Sequence, residues 1–352
     1  MTETIAGDTV GGAKLIGTAD RRFPLDGLGL TLVIVALGVI FTLINPRFAS
    51  VDNFLNILTQ ASTYIIVAMG MTFVIAKAGI DLSVGSMLAL VTCVFFGFID
   101  DGMAWGLALV IMFALGALLG AFNGILVAFL AVPALIATLG TMVAYRGLAL
   151  LHSSGKLYYG LPLEIVWLGQ GHIFGIPVPV VIAAVFVAFS WWLFNRTPFG
   201  VHCRAVGGNR EAARLSGIRV SRIEVLVYTF SGICVTIGGL IWMARIDGTQ
   251  ATFGTAMEIH VIAATIIGGT SLFGGRGTIY GTLAGAILLT MLNNALVIAG
   301  VEFFWQLVAI GVIVVIAVTV NNIRENRITW LETLRVRRNQ ARNRSVARGS
   351  IA

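Results

Sequence analysis

The stretch best placed to do chemistry in this sequence is short and polar, NREAARLSG at 209–217. Asn209 has the side chain of a helix N-cap, and Gly217 supplies the left-handed residue that stops a helix. Glu211 falls in the first turn, where the helix dipole favours an anion, and can reach Arg214 three positions on. Ala212, Leu215 and Ile218 leave a small apolar patch. A helix of about two turns is unstable alone in water, because nucleation costs more than so few hydrogen bonds return. It must rest on something, and the expected support is another protein. The docking set is Asn209, Glu211, Ala212, Ala213, Arg214, Leu215, Ser216 and Gly217.

Catalytic chemistry finds little support. There is no G-x-x-x-x-G-K-[ST], HExxH or G-x-S-x-G, and GGRG at 274–277 lacks the lysine and hydroxyl of a phosphate loop. Cys93, Cys203 and Cys234 are far apart with no metal spacing, and His202 beside Cys203 is too little for zinc. The chain is expected to be no enzyme and to hold no metal.

The elements carrying these residues are membrane helices. Of 352 residues, 58% are hydrophobic and 11% charged, and mean hydropathy is +0.94, too apolar for a soluble domain of this length. The predicted spans are 27–44, 54–76, 82–99, 104–130, 134–151, 177–194, 225–246, 255–273, 278–300 and 303–320. The expected fold is an all-α polytopic bundle of about ten spans. Arg21 and Arg22 precede a run too long for a signal peptide, so the first span is read as uncleaved. Arginines crowd the loop 195–224 and the tail after Asn322, which puts both of these and both termini in the cytoplasm. The chain divides into an N-terminal tail 1–26, one membrane domain 27–322 interrupted by the loop 195–224, and a basic tail 323–352. The net charge of +7 is explained by anionic lipid and membrane orientation, without nucleic acid.

Polar groups at membrane depth need a reason. Lys77 and Asp81, four apart, pair only if the break between them is helical; the segment is either a cytoplasmic turn with two solvated charges or a discontinuous piece of irregular backbone, permitted by Gly79, Ser83 and Gly85, that dips into the protein. Arg146 can snorkel outward, a structural role favoured over contact with a solute, and Glu258 and His260 have the same option. Asn123, Thr138, Asn293, Asn294 and Gln306 either bond helix to helix or line a path for an uncharged polyhydroxylated solute. Glycines spaced by four, at 116, 120 and 124 and again at 277, 281 and 285, form smooth faces for close packing. The scarcity of mid-span charge disfavours an ion-coupled carrier, the competing reading, and a receptor or scaffold is a third.

Three stretches together resemble the permease subunits of bacterial sugar ABC importers, the ribose, arabinose, galactose and xylose branch. They are AGIDLSVGS at 78–86, GGNREAARLSGI at 207–218 and IGGTSLFGGRGT at 267–278, carrying Gly79, Asp81, Ser83, Gly85, Gly274, Gly275 and Gly277. One departure is Lys77-Ala78, where that family usually has threonine and glycine. The resemblance implies a multi-pass inner-membrane homodimer in lipid that translocates a monosaccharide or related polyol. It also implies a separate ABC ATP-binding subunit holding the ATP and Mg, and a periplasmic sugar-binding protein. The helix at 209–216 would then match the family's cytoplasmic coupling region.

Overall fold

The computed structural model describes residues 25–302 and, beyond them, 304–309, 311, 312, 315, 316 and 319. Positions 1–24 of the N-terminal tail, the basic tail 323–352 and parts of the expected last span lie outside the described residues.

Twelve α-helices dominate the described chain. They are α1 Leu25–Ile44, α2 Val51–Ala76, α3 Val84–Asp100, α4 Trp105–Ala128, α5 Ala134–Ser153, α6 Leu163–Gln170, α7 Val178–Arg196, α8 Pro198–Gly208, α9 Arg210–Leu215, α10 Val220–Ile246, α11 Met257–Ile267 and α12 Ile279–Ile298. Helical backbone recurs within 304–319. A short 3-10 turn, Pro46–Ala49, joins α1 to α2. Four short strands, β1 Leu157–Tyr159, β2 His172–Ile173, β3 Ile176–Pro177 and β4 Gly248–Gln250, form two antiparallel pairs, β1 with β4 and β2 with β3. This is an all-α membrane protein. Six helices, α2, α4, α5, α7, α10 and α12, are long and apolar enough to cross a bilayer. Residues 29–44 of α1, α3 and α11 are shorter apolar helices.

The core is built on α2 and α10. In its most apolar window α2 is 78% buried, against 28% for α5, so α2 is a central helix and α5 a peripheral one. Peripheral helices expose large apolar side chains such as Leu118, Val143 and Val185, as lipid-facing helices do. The glycine series explain how helices so apolar pack closely. A Cβ on Gly116, Gly120 or Gly124 of α4 would run into Thr236, Tyr228 or Val225 of α10. Gly281 and Gly285 of α12 meet Gly268 and Ala264 of α11 and its end in the same way. Backbone proximity therefore replaces side-chain interdigitation on both seams.

Two regions depart from the sequence expectations. The segment 157–177 contains α6, the whole β2–β3 pair and one strand of the other pair; Leu157 pairs with Gln250 and Tyr159 with Gly248, which ties it to the end of α10. In the expected polar loop, Pro198 starts a second helix, α8, one residue after the extended Thr197. Proline is pre-set for a first helical turn, where its missing N–H is no loss.

Candidate functional site

The residues 209–217 form the short helix that their spacing predicts. Asn209 ends α8 and caps α9 at once, and its Oδ1 accepts from the Ala212 amide at 2.9 Å. The Arg214 guanidinium donates twice to Glu211, at 3.0 and 2.6 Å. That pairing holds the Glu211 carboxyl below the usual carboxylate range and raises Arg214. Gly217, at φ +85°, turns the chain away, and Ile218 N–H bonds back to Ala213 O at 3.1 Å. Ala213 is the residue of α9 that faces inward; Leu215, 76% exposed, stands out from the protein beside Ala212. Ser216 turns its hydroxyl back onto Ala212 O.

Beside α9 the three stretches that carry the family resemblance meet. The Gly275 amide donates to Ala76 O, the last residue of α2, at 2.8 Å. Gly207 of α8 lies between them: a Cβ there would clash with Ala76 O and stand 2.7 Å from Gly275 N. A Cβ on Gly274 would lie 2.7 Å from both Ala78 Cβ and Gly207 O. Gly274 and Gly275 both have positive φ, +81° and +75°, so their loop needs glycine for conformation as well as for space. Further bonds fix α8 and α9 to the membrane helices. Cys203 Sγ donates to Phe73 O at 3.2 Å, and burial pushes this thiol up to about 12. Arg210 pairs with the buried Glu224 of α10 at 2.5 Å. The junction joins α2, α8, α10 and the loop from α11 to α12 directly beside α9.

Residues 77–83 dip into the protein rather than forming a solvated turn. Asp81 and Ser83 are wholly buried and Lys77 nearly so. Lys77 and Asp81 do not pair, because the helical break that pairing requires is absent. The segment is not helical, and Ala78 sits in the left-handed region at φ +64°. Lys77 Nζ lies 4.4 Å from the Tyr228 ring centroid. Asp81 Oδ1 instead accepts from the amide and hydroxyl of Ser83 at 3.0 and 2.6 Å, and Oδ2 from Ser231 at 3.2 Å. Irregular backbone is tolerated here because protein satisfies it: Ile80 O accepts from Thr138 Oγ1 at 3.2 Å and from the Tyr228 hydroxyl at 3.3 Å. Gly79 lies against Lys77 and Tyr228, and Gly277 against Phe194.

The polar residues named for a path are engaged in internal bonds. Asn123 Nδ2 donates to Ser83 Oγ at 2.8 Å and its Oδ1 accepts from Tyr145 at 3.4 Å. Thr138 donates to Ile80 O and Ala134 O. Asn294 exchanges two bonds with Asn53 of α2, at 3.0 and 3.1 Å. Gln306 donates to Val301 O at 2.7 Å, whereas Asn293 Oδ1 is buried with no partner among the described residues.

Arg146 does not snorkel. It turns inward, donating through NH1 to the carbonyls of Ala251 and Phe253. Glu258 shares its cleft. His260 lies against the Tyr64 ring, with centroids 5.3 Å apart. The carbonyls of Ala251 and Phe253, in the stretch 247–254 that the expected spans leave as a connection, give the arginine an inward partner.

The branched-chain amino acid transport system / permease component family matches residues 53–318. The chain is 39% identical to the ribose import permease protein RbsC of Haemophilus influenzae, over 86% of this chain and 94% of that one. It is 40% identical to the RbsC of Bacillus subtilis, over 86% and 95% of the two chains. To the D-allose transport system permease protein AlsC of Escherichia coli it is 35% identical, over 85% and 92%. No solved structure matches.

Proposed function

Because the chain belongs to the branched-chain amino acid transport system / permease component family, we propose that α9 is the lever through which a separate ATP-binding subunit drives its membrane helices. The chain is the permease subunit of an ABC importer for monosaccharides and a multi-pass protein of the inner membrane. In the proposed assembly two copies stand side by side in lipid. An ATP-binding subunit, carrying the ATP and Mg, docks below, and a periplasmic sugar-binding protein delivers the cargo from above. About ten spans, with both termini in the cytoplasm and 27–322 as one membrane domain, put α8 and α9 on the ATPase side.

One observation carries the docking role. α9 is capped, ion-paired and anchored through Ala213, yet presents Leu215 to solvent beside Glu211 and Arg214. A six-residue helix this well finished at both ends, with its apolar tip uncovered, suits a groove on a partner. Closure of two ATP-binding subunits would push α9. Gly207, Gly274 and Gly275 would carry that push to the ends of α2 and α12, and Arg210 to α10. Ribose is the first cargo to test, because two relatives of high coverage are ribose import permeases.

The double variant Glu211→Arg with Arg214→Glu tests the lever. It keeps opposite charges three apart but reverses what a partner meets. Membrane insertion should be unchanged, while co-purification of the ATP-binding subunit and ATP-driven uptake fall at least tenfold. Normal uptake by this variant would overturn the docking role. A self-contained carrier, the alternative, would run on an ion gradient without any partner.

A further inference from the structure

Arg146 is the thirteenth residue of the 20-residue α5. At about 1.5 Å per residue, its Cα lies about 18 Å from one end of the helix and about 10 Å from the other. A charged group facing hydrocarbon at such depth costs about 2.5–3.5 kcal/mol on insertion scales. Yet Arg146 and Glu258 both line an open cleft of about 380 Å³ between α5 and the start of α11, together with Met142, Val143, Gly147, Leu150, Thr255 and Ala256. Two opposite charges and one hydroxyl in an otherwise apolar cleft suit water or a polar cargo better than hydrocarbon.

The groups are held in place. Arg146 NH1 is fixed by Ala251 O and Phe253 O, leaving Nε and NH2 without hydrogen bonds among the described residues. Glu258 is ion-paired to no side chain among the described residues, although its charge and that of Arg146 act on each other. Gly254 and Ala256 take left-handed φ of +71° and +64° to bring the turn against α3. There a Cβ on Gly85 would overlap the backbone oxygen of Gly254 and come within 2.8 Å of Glu258 Oε2. The glycine at 85 therefore lets the turn seat directly on α3, with the Glu258 carboxylate beside it, at the end of α3 that follows the buried break.

We propose that Arg146, Glu258 and Thr255 form a binding station for an uncharged polyhydroxylated cargo inside the membrane, and that Gly85 couples it to the break at 77–83. This rests on the importer reading. A guanidinium fork donates to two neighbouring hydroxyls, and a carboxylate accepts from two. Together they are neutral, so they match a sugar's diols without holding an ion. The apolar walls at Met142, Val143 and Leu150 suit the C–H faces of a sugar ring, and the volume lies in the roughly 300–1,000 Å³ range of small-molecule sites.

The test uses the complete importer in proteoliposomes, with D-ribose as the probe sugar. Thr255→Cys and Met142→Cys are each compared with Leu118→Cys, which lies on the exposed apolar face of α4. Cys93, Cys203 and Cys234 are all buried and give a low background. A membrane-impermeant cationic methanethiosulfonate reacts with thiols that water can reach. The two cleft variants should react at least tenfold faster than Leu118→Cys. Glu258→Ala should cut ATP-driven D-ribose uptake at least tenfold, with partial recovery in Glu258→Asp. If the unsubstituted importer accumulates D-ribose on ATP while Thr255→Cys and Met142→Cys react as slowly as Leu118→Cys, the station is refuted and the importer reading stands. Full uptake by Glu258→Ala also refutes it. If the unsubstituted importer shows no ATP-driven uptake, the importer reading fails and this proposal falls with it.

Discussion

Gly207→Ala sets helix preference against the junction. Position 207 is helical and has no positive φ, so alanine fits its backbone and favours the helix by up to about 1 kcal/mol. The added Cβ, however, would overlap Ala76 O and lie 2.7 Å from Gly275 N, both backbone atoms that cannot rotate away. Overpacking of this kind costs about 1–3 kcal/mol. It would also part the Gly275–Ala76 hydrogen bond, worth about 0.5–1.5 kcal/mol net. The expected balance is a loss of about 1–3 kcal/mol at the meeting point of α2, α8 and the 268–278 loop. Gly208→Ala is the matched control, since its Cβ would meet only Gly275 Cα at 3.8 Å, an ordinary contact. Thermal unfolding in detergent and ATP-driven uptake should both fall in Gly207→Ala and stay near the unsubstituted values in Gly208→Ala. Uptake should drop further than stability, because the junction lies on the route from α9 to the bundle. If the two variants behave alike, the close approach at Gly207 does not transmit force.

Asp81→Ala removes the acceptor of three hydrogen bonds and strands the Ser83 amide with two buried hydroxyls, so detergent stability should fall by about 3 kcal/mol or more. Ala78→Gly should raise stability by about 1 kcal/mol, because φ +64° strains every side chain except glycine's hydrogen; an unchanged or lower melting temperature would count against that strain. The Glu211 carboxyl is depressed by Arg214, so its pairing is complete above the ordinary carboxylate value and is lost as pH falls through the lowered one. ATPase docking should accordingly be flat between about pH 6 and 8 and weaken only below about pH 4, and a midpoint near neutrality would contradict the role of this pair.

Local signals proved legible, and long-range ones did not. Asn209 and Gly217 bound α9 because capping depends on neighbours within one turn. The glycine spacings at 116–124 and 281–285 marked packing faces because only glycine admits a helix backbone that close. Gly79, Ser83 and Gly85 left room for an irregular segment at 77–83, but the spacing of Lys77 and Asp81 could not decide their partners, since pairing at four residues presupposes a helix that Ala78 breaks. Asn123 and Thr138 could not be told from path residues in the sequence. Their partners, Ser83, Tyr145 and Ile80, come from other helices or from the buried break. Arg146 was misplaced for the same reason, its acceptors lying more than a hundred residues away. Helix α8 was hidden inside a polar loop whose only start signal was Pro198.

We propose that this permease has no drive of its own and is moved from the cytoplasm by another subunit. Accumulation of labelled D-ribose in proteoliposomes measures that directly, comparing the permease alone with the permease joined by its ATP-binding subunit and sugar-binding protein. Accumulation is expected only in the complete assembly with ATP on the ATPase side, and none from a proton or sodium gradient. Concentrative uptake by the permease alone on an ion gradient would contradict it.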